Sequence, residues 1–318
     1  MSNLPDSVKF EILLNSDYPT IITTCQTIPS FDKICNEPYF WARKTEADFS
    51  VIPSELSLIP GQNNRSRYEW IMKLAPHKGI VSASIIGSLS LVKYFITKGV
   101  TDFSAALIGA AGSGHLDIIK FLIKHGATGF NNALYNSASN GHLNVVEFLI
   151  KQGATDLNTA LYSAAGSGQL DVVKFLIKQG ATELNHAMIQ AAGSGHLDTV
   201  KFLISQGATE FDDALYFSAA SGHLDMIKFL ISQGATDFDG AMRSAAGSGH
   251  LDLVKFLISQ GATDLDGAMV SAAERNHLAV IKFLLQAGAT SYNESISVAL
   301  IGNYYEAIAL IASFVSNH

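Results

Sequence analysis

The stretch GATDFDGAMRSAAGSGHLDLVKFLISQ, residues 234–260, recurs along the chain with few changes and decides its architecture. Its opening glycine returns every 27 residues, and seven close copies fill residues 100–287. The periodic glycines are Gly126, Gly153, Gly180, Gly207, Gly234, Gly261 and Gly288. An internal period of this kind is typical of a repeat protein, in which each unit packs only against its neighbours.

Each copy contains the pattern of two short helices joined by small residues. In the first helix, Leu215 and Ala219 share one face at positions i and i+4. The second helix begins near His-Leu-Asp and carries Leu251, Val254 and Leu257 on one stripe. It ends at the periodic glycine, which adopts a left-handed conformation without steric cost. An Asn or Asp before the first helix is expected to cap it. These residues are Asn131, Asn158, Asn185, Asp212, Asp239 and Asp266.

A single helix pair cannot bury its apolar face, whereas stacked pairs share a continuous core. We expect a ladder of phenylalanines to run along that core, with alanine pairs letting neighbouring first helices approach closely. The ladder consists of Phe121, Phe148, Phe175, Phe202, Phe229, Phe256 and Phe283. Degenerate copies at 72–99 and 288–318 are expected to cap the stack, since Ser88 and Tyr304 replace the recurrent histidine there.

From its Ala-Ala step through Gly-His-Leu-Asp to its closing Gly-Ala, the pattern resembles the ankyrin repeat over residues 76–318. Ankyrin units have about 33 residues and include a β-turn and a TPLH segment. Six residues are missing here before the first helix, so projecting hairpins should be absent. The resemblance implies an all-α, ankyrin-like helical solenoid of hairpin-less short repeats, with nine helix pairs including the caps.

The first 50 residues lack the repeat and contain three apolar segments, which predict a small three-helix unit. These segments are LPDSVKFEILLNS, YPTIITTCQT and SFDKICNEPYFW. The first part of residues 51–71 is rich in Pro, Gly and Asn, which predicts a linker. The second part has a helical pattern, which predicts a helix that seals the first repeat.

The spacing of apolar residues in this unit resembles the F-box, a family that docks on the Skp-type adaptor of cullin ubiquitin ligases. The resemblance implies an adaptor-binding role for Leu4, Pro5, Ile12, Leu13, Phe31, Ile34, Phe40 and Trp41. An F-box-like unit before ankyrin-type repeats also resembles proteins that large DNA viruses of amoebae encode in multiple copies.

Charge and composition exclude several classes of function. The net charge of −7 opposes general nucleic-acid binding, which needs a basic face. No apolar run approaches the roughly 20 residues of a membrane span, and the N-terminus lacks the pattern of a signal peptide. We therefore expect a monomer in the cytoplasm, or in the host cytoplasm if the chain is viral. Cys25 and Cys35 are then expected to be buried reduced thiols, with little support for a disulfide or a metal role.

A column of recurrent histidines is a tempting zinc site but has the wrong geometry. Its members are His115, His142, His196, His223, His250 and His277. Equivalent residues of adjacent helices lie about 9 Å apart, whereas zinc needs nitrogens about 2 Å from the metal. We expect these side chains to hydrogen-bond the turn backbone. No catalytic constellation stands outside the repeated columns, so we predict no enzyme activity, no cofactor and no metal site.

Two columns on the first helices vary between otherwise similar copies. One contains Tyr135, Tyr162, Ile189, Tyr216, Arg243 and Val270; the other, one turn earlier, contains Asn132, Thr159, His186, Asp213, Gly240 and Gly267. Tyr and Arg are enriched at interface hot spots. We predict a protein-binding site anchored by Tyr135, Tyr162, Tyr216 and Arg243, with Asn132, Thr159, His186 and Asp213 at its edge. The alternative is that these positions vary because nothing holds them.

An acidic row precedes the first helices and consists of Asp102, Asp156, Glu183, Glu210, Asp237 and Asp264. Acidic residues there suit the helix dipole, and a basic partner is the second explanation. The functional hypothesis is a protein–protein interaction module, in which the repeats hold a target and the F-box-like unit links it to a Skp/cullin-type ubiquitin ligase. The alternative is an ankyrin-type scaffold or host-interaction protein with no ubiquitin link.

Overall fold

The structure, a computed structural model, describes residues 4–317, which form 23 α-helices and one 3-10 helix without a strand. The prediction of an all-α fold is therefore confirmed. The N-terminal elements are α1 (Asp6–Leu14), α2 (Tyr18–Thr27), α3 (Pro29–Cys35), α4 (Pro38–Phe49), the 3-10 helix (Pro53–Leu58) and α5 (Asn64–Met72).

The remaining helices form nine consecutive pairs, as the sequence predicts. The first three pairs are α6 (Pro76–Ile86) with α7 (Leu89–Thr97), α8 (Ser104–Gly112) with α9 (Leu116–Lys124), and α10 (Phe130–Ser139) with α11 (Leu143–Lys151). The next three are α12 (Leu157–Gly166) with α13 (Leu170–Lys178), α14 (Leu184–Gly193) with α15 (Leu197–Ser205), and α16 (Phe211–Ser221) with α17 (Leu224–Ser232). The last three are α18 (Phe238–Gly247) with α19 (Leu251–Gln260), α20 (Leu265–Ala273) with α21 (Leu278–Ala287), and α22 (Tyr292–Ile301) with α23 (Tyr305–Asn317).

The chain divides into two compact units. Unit 1 runs as far as Ser137 and also includes His142–Thr155, whereas unit 2 consists of Ala138–Gly141 and the chain from Asp156 onward. In unit 2 each first helix packs against the first helix of the next pair, from α12 through to α22. In unit 1 the same contact joins α6 to α8.

Small side chains allow this close packing of first helices. Ala245 and Ala246 on α18 are completely buried, and so are Val254 and Leu257 on α19. Only four to six residues separate one pair from the next, with four between Gln260 and Leu265, which leaves no room for a hairpin. The core of the repeats is therefore made of Ala, Leu, Val, Ile and Met.

The phenylalanine ladder is half-buried and does not form the core, which corrects the expectation from sequence. Phe256 lies beside the buried stripe of α19, and the inner positions belong to Leu253, Val254 and Leu257. A lysine from the preceding pair covers most of these rings. The distances from Nζ to ring centroid are 5.6 Å for Lys93–Phe121 and Lys120–Phe148, 5.9 Å for Lys174–Phe202, 5.7 Å for Lys201–Phe229, 6.0 Å for Lys228–Phe256 and 5.5 Å for Lys255–Phe283.

The recurrent histidines hydrogen-bond backbone carbonyls, as predicted, and the carbonyls belong to the preceding pair. Nε2 lies 3.1 Å from the carbonyl oxygen in the pairs His115–Ile85, His142–Gly112, His196–Gly166, His250–Ala220 and His277–Gly247. Each ring also lies against a glycine of that turn. A Cβ atom on Gly249, whose φ is +79°, would stand 2.6 Å from Nδ1 of His277, so the turn requires glycine.

The Asn and Asp column does not cap its own helix, which corrects the second expectation. Instead its side chains accept hydrogen bonds from the loop of the next pair. Oδ1 of Asp239 accepts from the backbone N–H of Thr263 at 2.6 Å and of Asp264 at 2.9 Å. The same contact joins Asn131 to Thr155, Asn158 to Thr182, Asn185 to Thr209, Asp212 to Thr236 and Asp266 to Thr290.

Aspartates of the acidic row cap their helices, whereas Glu183 and Glu210 at the same position form no side-chain cap. The side chains of Asp156, Asp237 and Asp264 accept from the backbone N–H three residues later, and the bond from Gly240 to Asp237 is 2.8 Å. This geometry agrees with the helix-dipole explanation of that row.

The N-terminal region has four helices before residue 50, where the sequence predicted three. The third segment divides because Asn36 ends α3 and Pro38 begins α4, and proline is favoured only in the first turn of a helix. Its core is aromatic: the indole N–H of Trp41 donates to the Cys35 carbonyl at 2.8 Å, and the Tyr68 hydroxyl donates to Asp48 at 2.5 Å.

The two cysteines form a disulfide between α2 and α3, which corrects the expectation of free thiols. The helices bring the Cα atoms of Cys25 and Cys35 to 6.1 Å, within the range that a disulfide spans. Their positions in sequence gave no sign of this approach, because it depends on how the two helices pack.

The segment predicted as a linker is packed against the rest of unit 1. Val51 and Ile59 are buried. Glu55 accepts hydrogen bonds from the hydroxyl and backbone N–H of Ser90 at 3.3 Å and from the hydroxyl of Ser88, at the start of α7. Ser88 occupies the position of the recurrent histidine, so here the 3-10 helix replaces the contact that a preceding pair would supply.

Candidate functional site

The first-helix face of unit 2 is the exposed side of α12, α14, α16, α18 and α20, and it carries most of the predicted binding residues. Tyr216 is 43% exposed, Arg243 is exposed and Tyr162 is half-buried. Tyr135 belongs to α10 in unit 1 and is 44% exposed. The four predicted anchors are therefore accessible to different degrees.

Two of the anchors contact the pair that follows them. The Tyr162 hydroxyl donates to the Glu183 carboxylate, and the ring of Tyr162 stacks on His186 with 4.8 Å between centroids. Arg243 donates from Nη1 to Oδ2 of Asp264 at 2.6 Å. In both cases a residue of the variable column meets a residue of the acidic row 21 positions later, so these contacts preorganise both side chains.

The four predicted edge residues have different environments. Asn132 and Asp213 are exposed, and His186 is exposed beside Tyr162. Thr159 is half-buried and donates its backbone N–H to Asp156 at 3.2 Å. Thr159 therefore contributes to a helix cap, and Asn132, His186 and Asp213 present polar groups to solvent.

A cleft of about 360 Å³ opens on the first-helix face between α16, α18 and α20. Tyr216 and Phe217 form one wall, with their rings edge to face at a centroid distance of 5.4 Å. Arg243 and the two residues that follow α20, Glu274 and Arg275, form the remainder of the rim. The floor consists of small residues: Ala220, Ser244, Gly247, Ser248 and Ser271. The cleft has the size to accept one or two side chains of a partner.

Phe217, Glu274 and Arg275 were not predicted from the sequence. Phe217 is 47% exposed and occupies a column whose other members are small or polar: Gly109, Asn136, Ser163, Gln190, Ser244 and Ser271. A single aromatic residue in that column was the available signal. Glu274 and Arg275 likewise replace a pair of small or polar residues, which is Gly-Ser in most other copies.

Electrostatic contacts fix the rim of the cleft. The hydrogen bond to Asp264 raises the pKa of the Arg243 guanidinium above its ordinary value, so the side chain stays charged. Hydrogen bonds from the backbone N–H groups of Asp264 and Thr263 lower the pKa of Asp239. Arg243 therefore carries a charge that Asp264 already balances.

The structure buries most of the residues that the F-box resemblance assigned to adaptor binding. Leu13, Phe31, Ile34, Phe40 and Trp41 are at most 4% exposed and form the core of the N-terminal region. Leu4 is half-buried, whereas Pro5 and Ile12 are exposed. Two unpredicted apolar side chains, Val8 and Tyr39, also face solvent.

No three His, Cys, Asp or Glu side chains among residues 4–317 are arranged to hold a metal ion. Within the same range, every helix is too short or too polar to span a membrane.

Comparisons with known proteins identify the repeats. Among 272 chains of solved structures that match, the human ASB11 ankyrin repeat domain is 24% identical, with a TM-score of 0.42. The match covers 49% of this chain and 84% of that domain. The comparison with curated protein sequences found no match. The family model described as "Ankyrin repeats (3 copies)" matches residues 79–158, 107–187, 182–240 and 215–296, which is more than half of the chain. The chain belongs to the ankyrin repeat family.

Proposed function

We propose that the repeats hold a target protein through Tyr162, Tyr216 and Arg243 on the first-helix face of unit 2, and that Tyr135, on α10 of unit 1, is a further anchor. Ankyrin repeats form protein–protein interaction modules, and stacked helix pairs provide extended binding surfaces. The observation that carries the proposal is the cleft on this face, where Tyr216 and Phe217 present aromatic surface to solvent. Exposed aromatic side chains beside an arginine are typical of binding hot spots.

The opposite side of the repeats offers less to a partner. Its phenylalanines are half-buried, and lysines cover the rings of Phe202, Phe229 and Phe256. Its exposed positions include aspartates and lysines, such as Asp198 and Lys201, and also serine and glutamine, such as Ser205 and Gln206. A partner on that side would have to displace these lysines.

The test compares the affinity of an affinity-captured partner for two variants of the full chain. In the first variant, alanine replaces Tyr135, Tyr162, Tyr216 and Arg243; in the second, alanine replaces Lys201, Lys228 and Lys255 on the other side. Each good anchor should contribute about 1–2 kcal/mol to binding, so the first variant should lose the partner and the second should keep it. Unchanged affinity in the first variant together with weaker binding in the second would place the partner on the second helices.

We also propose that the N-terminal region links this target to a Skp-type adaptor of a cullin ubiquitin ligase. The F-box resemblance supports it, and so does an exposed apolar set on α1 and α4. Val8 and Ile12, one turn apart on α1, are 42% and 37% exposed, and Tyr39 on α4 is 63% exposed. Because Phe40 and Trp41 are buried, contact with an adaptor would depend on these exposed residues and on Pro5.

A binding assay with a purified Skp-type adaptor tests this link. Ile12→Asp should abolish adaptor binding, because it places a charge in the exposed apolar set. Ile52→Asp is the matched control, since Ile52 is 50% exposed and lies outside that set. If the wild-type chain does not bind the adaptor at micromolar concentrations, the scaffold function without a ubiquitin link is supported instead.

A further inference from the structure

We infer that the target presents a basic segment, and that one of its arginine or lysine side chains enters the cleft beside Tyr216 and Phe217. This inference rests on the proposed function and adds the chemistry of the partner to it. Three features of unit 2 carry the inference: its charge distribution, the aromatic wall of the cleft, and the pairing of Arg243 with Asp264 at the rim.

Charge separates between the two kinds of helix in unit 2. From Asp156 onward, the first helices and the loops around them carry eleven Asp or Glu residues and two Arg residues. The second helices carry five acidic residues and six lysines, so they are nearly neutral. A strongly negative face attracts a positively charged partner over a distance set by salt screening.

The aromatic wall of the cleft lacks the cation that other rings of the repeats have. On the second helices, lysines lie over Phe202, Phe229, Phe256 and Phe283 at 5.5–6.0 Å. Within residues 4–317, no Lys or Arg lies over the ring of Tyr216 or Phe217. A cation within about 6 Å of such a ring is attracted by its negative face.

The arginines at the rim do not make the cleft a site for an anion. The Arg243 guanidinium is bonded to Asp264 at 2.6 Å, so its charge is balanced. Arg275 directly follows Glu274, and both residues line the rim. The cleft itself is therefore close to neutral, and the acidic residues around it, such as Asp213 and Asp237, decide the sign of the potential.

The floor of the cleft fits a long side chain with a charged end. Ser244, Gly247 and Ser271 are small, so the methylene groups of an arginine or lysine can lie across them against Phe217. At the rim, the Glu274 carboxylate can accept hydrogen bonds from the charged end. An acidic side chain would meet the negative potential of the surrounding carboxylates, such as Asp213 and Asp237.

The experiment measures binding of three labelled peptides to the full chain by fluorescence anisotropy. The peptides share one sequence, with arginine, its neutral isostere citrulline, or glutamate at the variable positions. We expect the arginine peptide to bind roughly tenfold more tightly than the citrulline peptide, and less tightly as salt is added. We expect the glutamate peptide to bind no more tightly than the citrulline peptide.

Matched variants show whether the cleft is the binding site. Phe217→Leu keeps an apolar side chain but removes the ring, and Tyr305→Leu removes an exposed ring on α23. Glu274→Gln and Glu306→Gln each remove one acidic group, within the cleft and on α23 respectively. The first variant of each pair should lower the affinity for the arginine peptide roughly fivefold, and the second should leave that affinity unchanged. Equal binding by all four variants would overturn the inference.

The glutamate peptide separates this inference from the proposed function. If that peptide bound more tightly than the arginine peptide and lost affinity on Phe217→Leu, the first-helix face would still be a protein-binding face. The inference of a basic partner would then be wrong. Loss of the captured partner in the four-alanine variant tests the proposed function independently of either peptide.

Discussion

The N-terminal region and the repeats are both helical, but they bury very different side chains. The largest fully buried side chains of the described chain are Trp41, Tyr68, Phe31, Phe40 and Phe49, all within the first 70 residues. The fully buried side chains of the repeats are smaller, such as Ala246, Leu257 and Met242. The N-terminal region is therefore stabilised by a few large contacts, and the repeats by many small ones.

This difference follows from the number of times that each contact occurs. A repeat interface has a lysine–phenylalanine contact, a histidine–carbonyl bond and an Asn or Asp side chain bound to the next loop. Each contributes little, but all of them recur along the chain. The N-terminal region has no copies of its contacts, so the loss of one large side chain there should matter most.

The largest effect should come from Phe40→Ala. Phe40 is completely buried, and truncating such a residue costs about 3–5 kcal/mol. The chain has only two tryptophans, Trp41 and Trp70, so tryptophan fluorescence during urea unfolding reports on the N-terminal region alone. Tyr39→Ala, at a neighbouring position that is 63% exposed, should leave the unfolding midpoint almost unchanged. Equal effects of the two substitutions would contradict the aromatic core.

Within the repeats, Leu203→Ala should be more destabilising than Phe202→Ala. Leu203 is completely buried, so its truncation should cost about 2–5 kcal/mol. Phe202 is half-buried beneath Lys174, so losing the larger ring should cost about 1–2 kcal/mol. Circular dichroism, which follows all the helices, measures both. The reverse order of the two losses would indicate that the phenylalanines belong to the core.

The sequence predicted the helices better than the contacts between them. The 27-residue period, the nine pairs and the short loops follow from glycine positions and apolar stripes within one copy. The roles of Phe256 and Asp239 do not follow from the pattern within one copy, because they depend on the rotation of one pair relative to the next. The pairing of Cys25 with Cys35 was missed for the same reason.

The candidate site was predicted in part. The variable column contains Tyr216 and Arg243, which line the cleft. The pairing of this column with the acidic row became clear only from the contact between Arg243 and Asp264. Phe217 could have been recognised as the one aromatic residue in a column of small or polar residues. The volume of the cleft could not be predicted from the sequence, because it depends on how three helices pack together.

A smaller effect is expected from the histidine ladder. His250→Ala removes the bond to the Ala220 carbonyl and should cost about 0.5–1.5 kcal/mol. His250→Gln is the matched control, because Gln169 occupies the same position in another copy. The glutamine variant should lose less stability by urea unfolding. If alanine and glutamine were equally tolerated, the hydrogen bond would contribute nothing to the stack.

The smallest effect is a response to acid. Backbone hydrogen bonds lower the pKa values of Asp239 and Asp266 below the usual 3.8. A carboxylate with a lowered pKa in the folded state stabilises the protein above its unfolded-state pKa, and this stability is lost as the pH falls through the folded-state value. The double variant Asp239→Asn, Asp266→Asn keeps the acceptor oxygens, as Asn158 and Asn185 do. Its urea midpoint should therefore fall less than that of the wild type between pH 5 and pH 3. An equal fall would show that these carboxylates do not couple to folding.

Hydrogen–deuterium exchange of the full chain, with and without its captured target, tests the location of the binding face most directly. We expect slower exchange in peptides from α16, α18 and α20, which form the cleft, and little change in α17, α19 and α21. Target-dependent protection confined to α17, α19 and α21 would contradict a first-helix binding face.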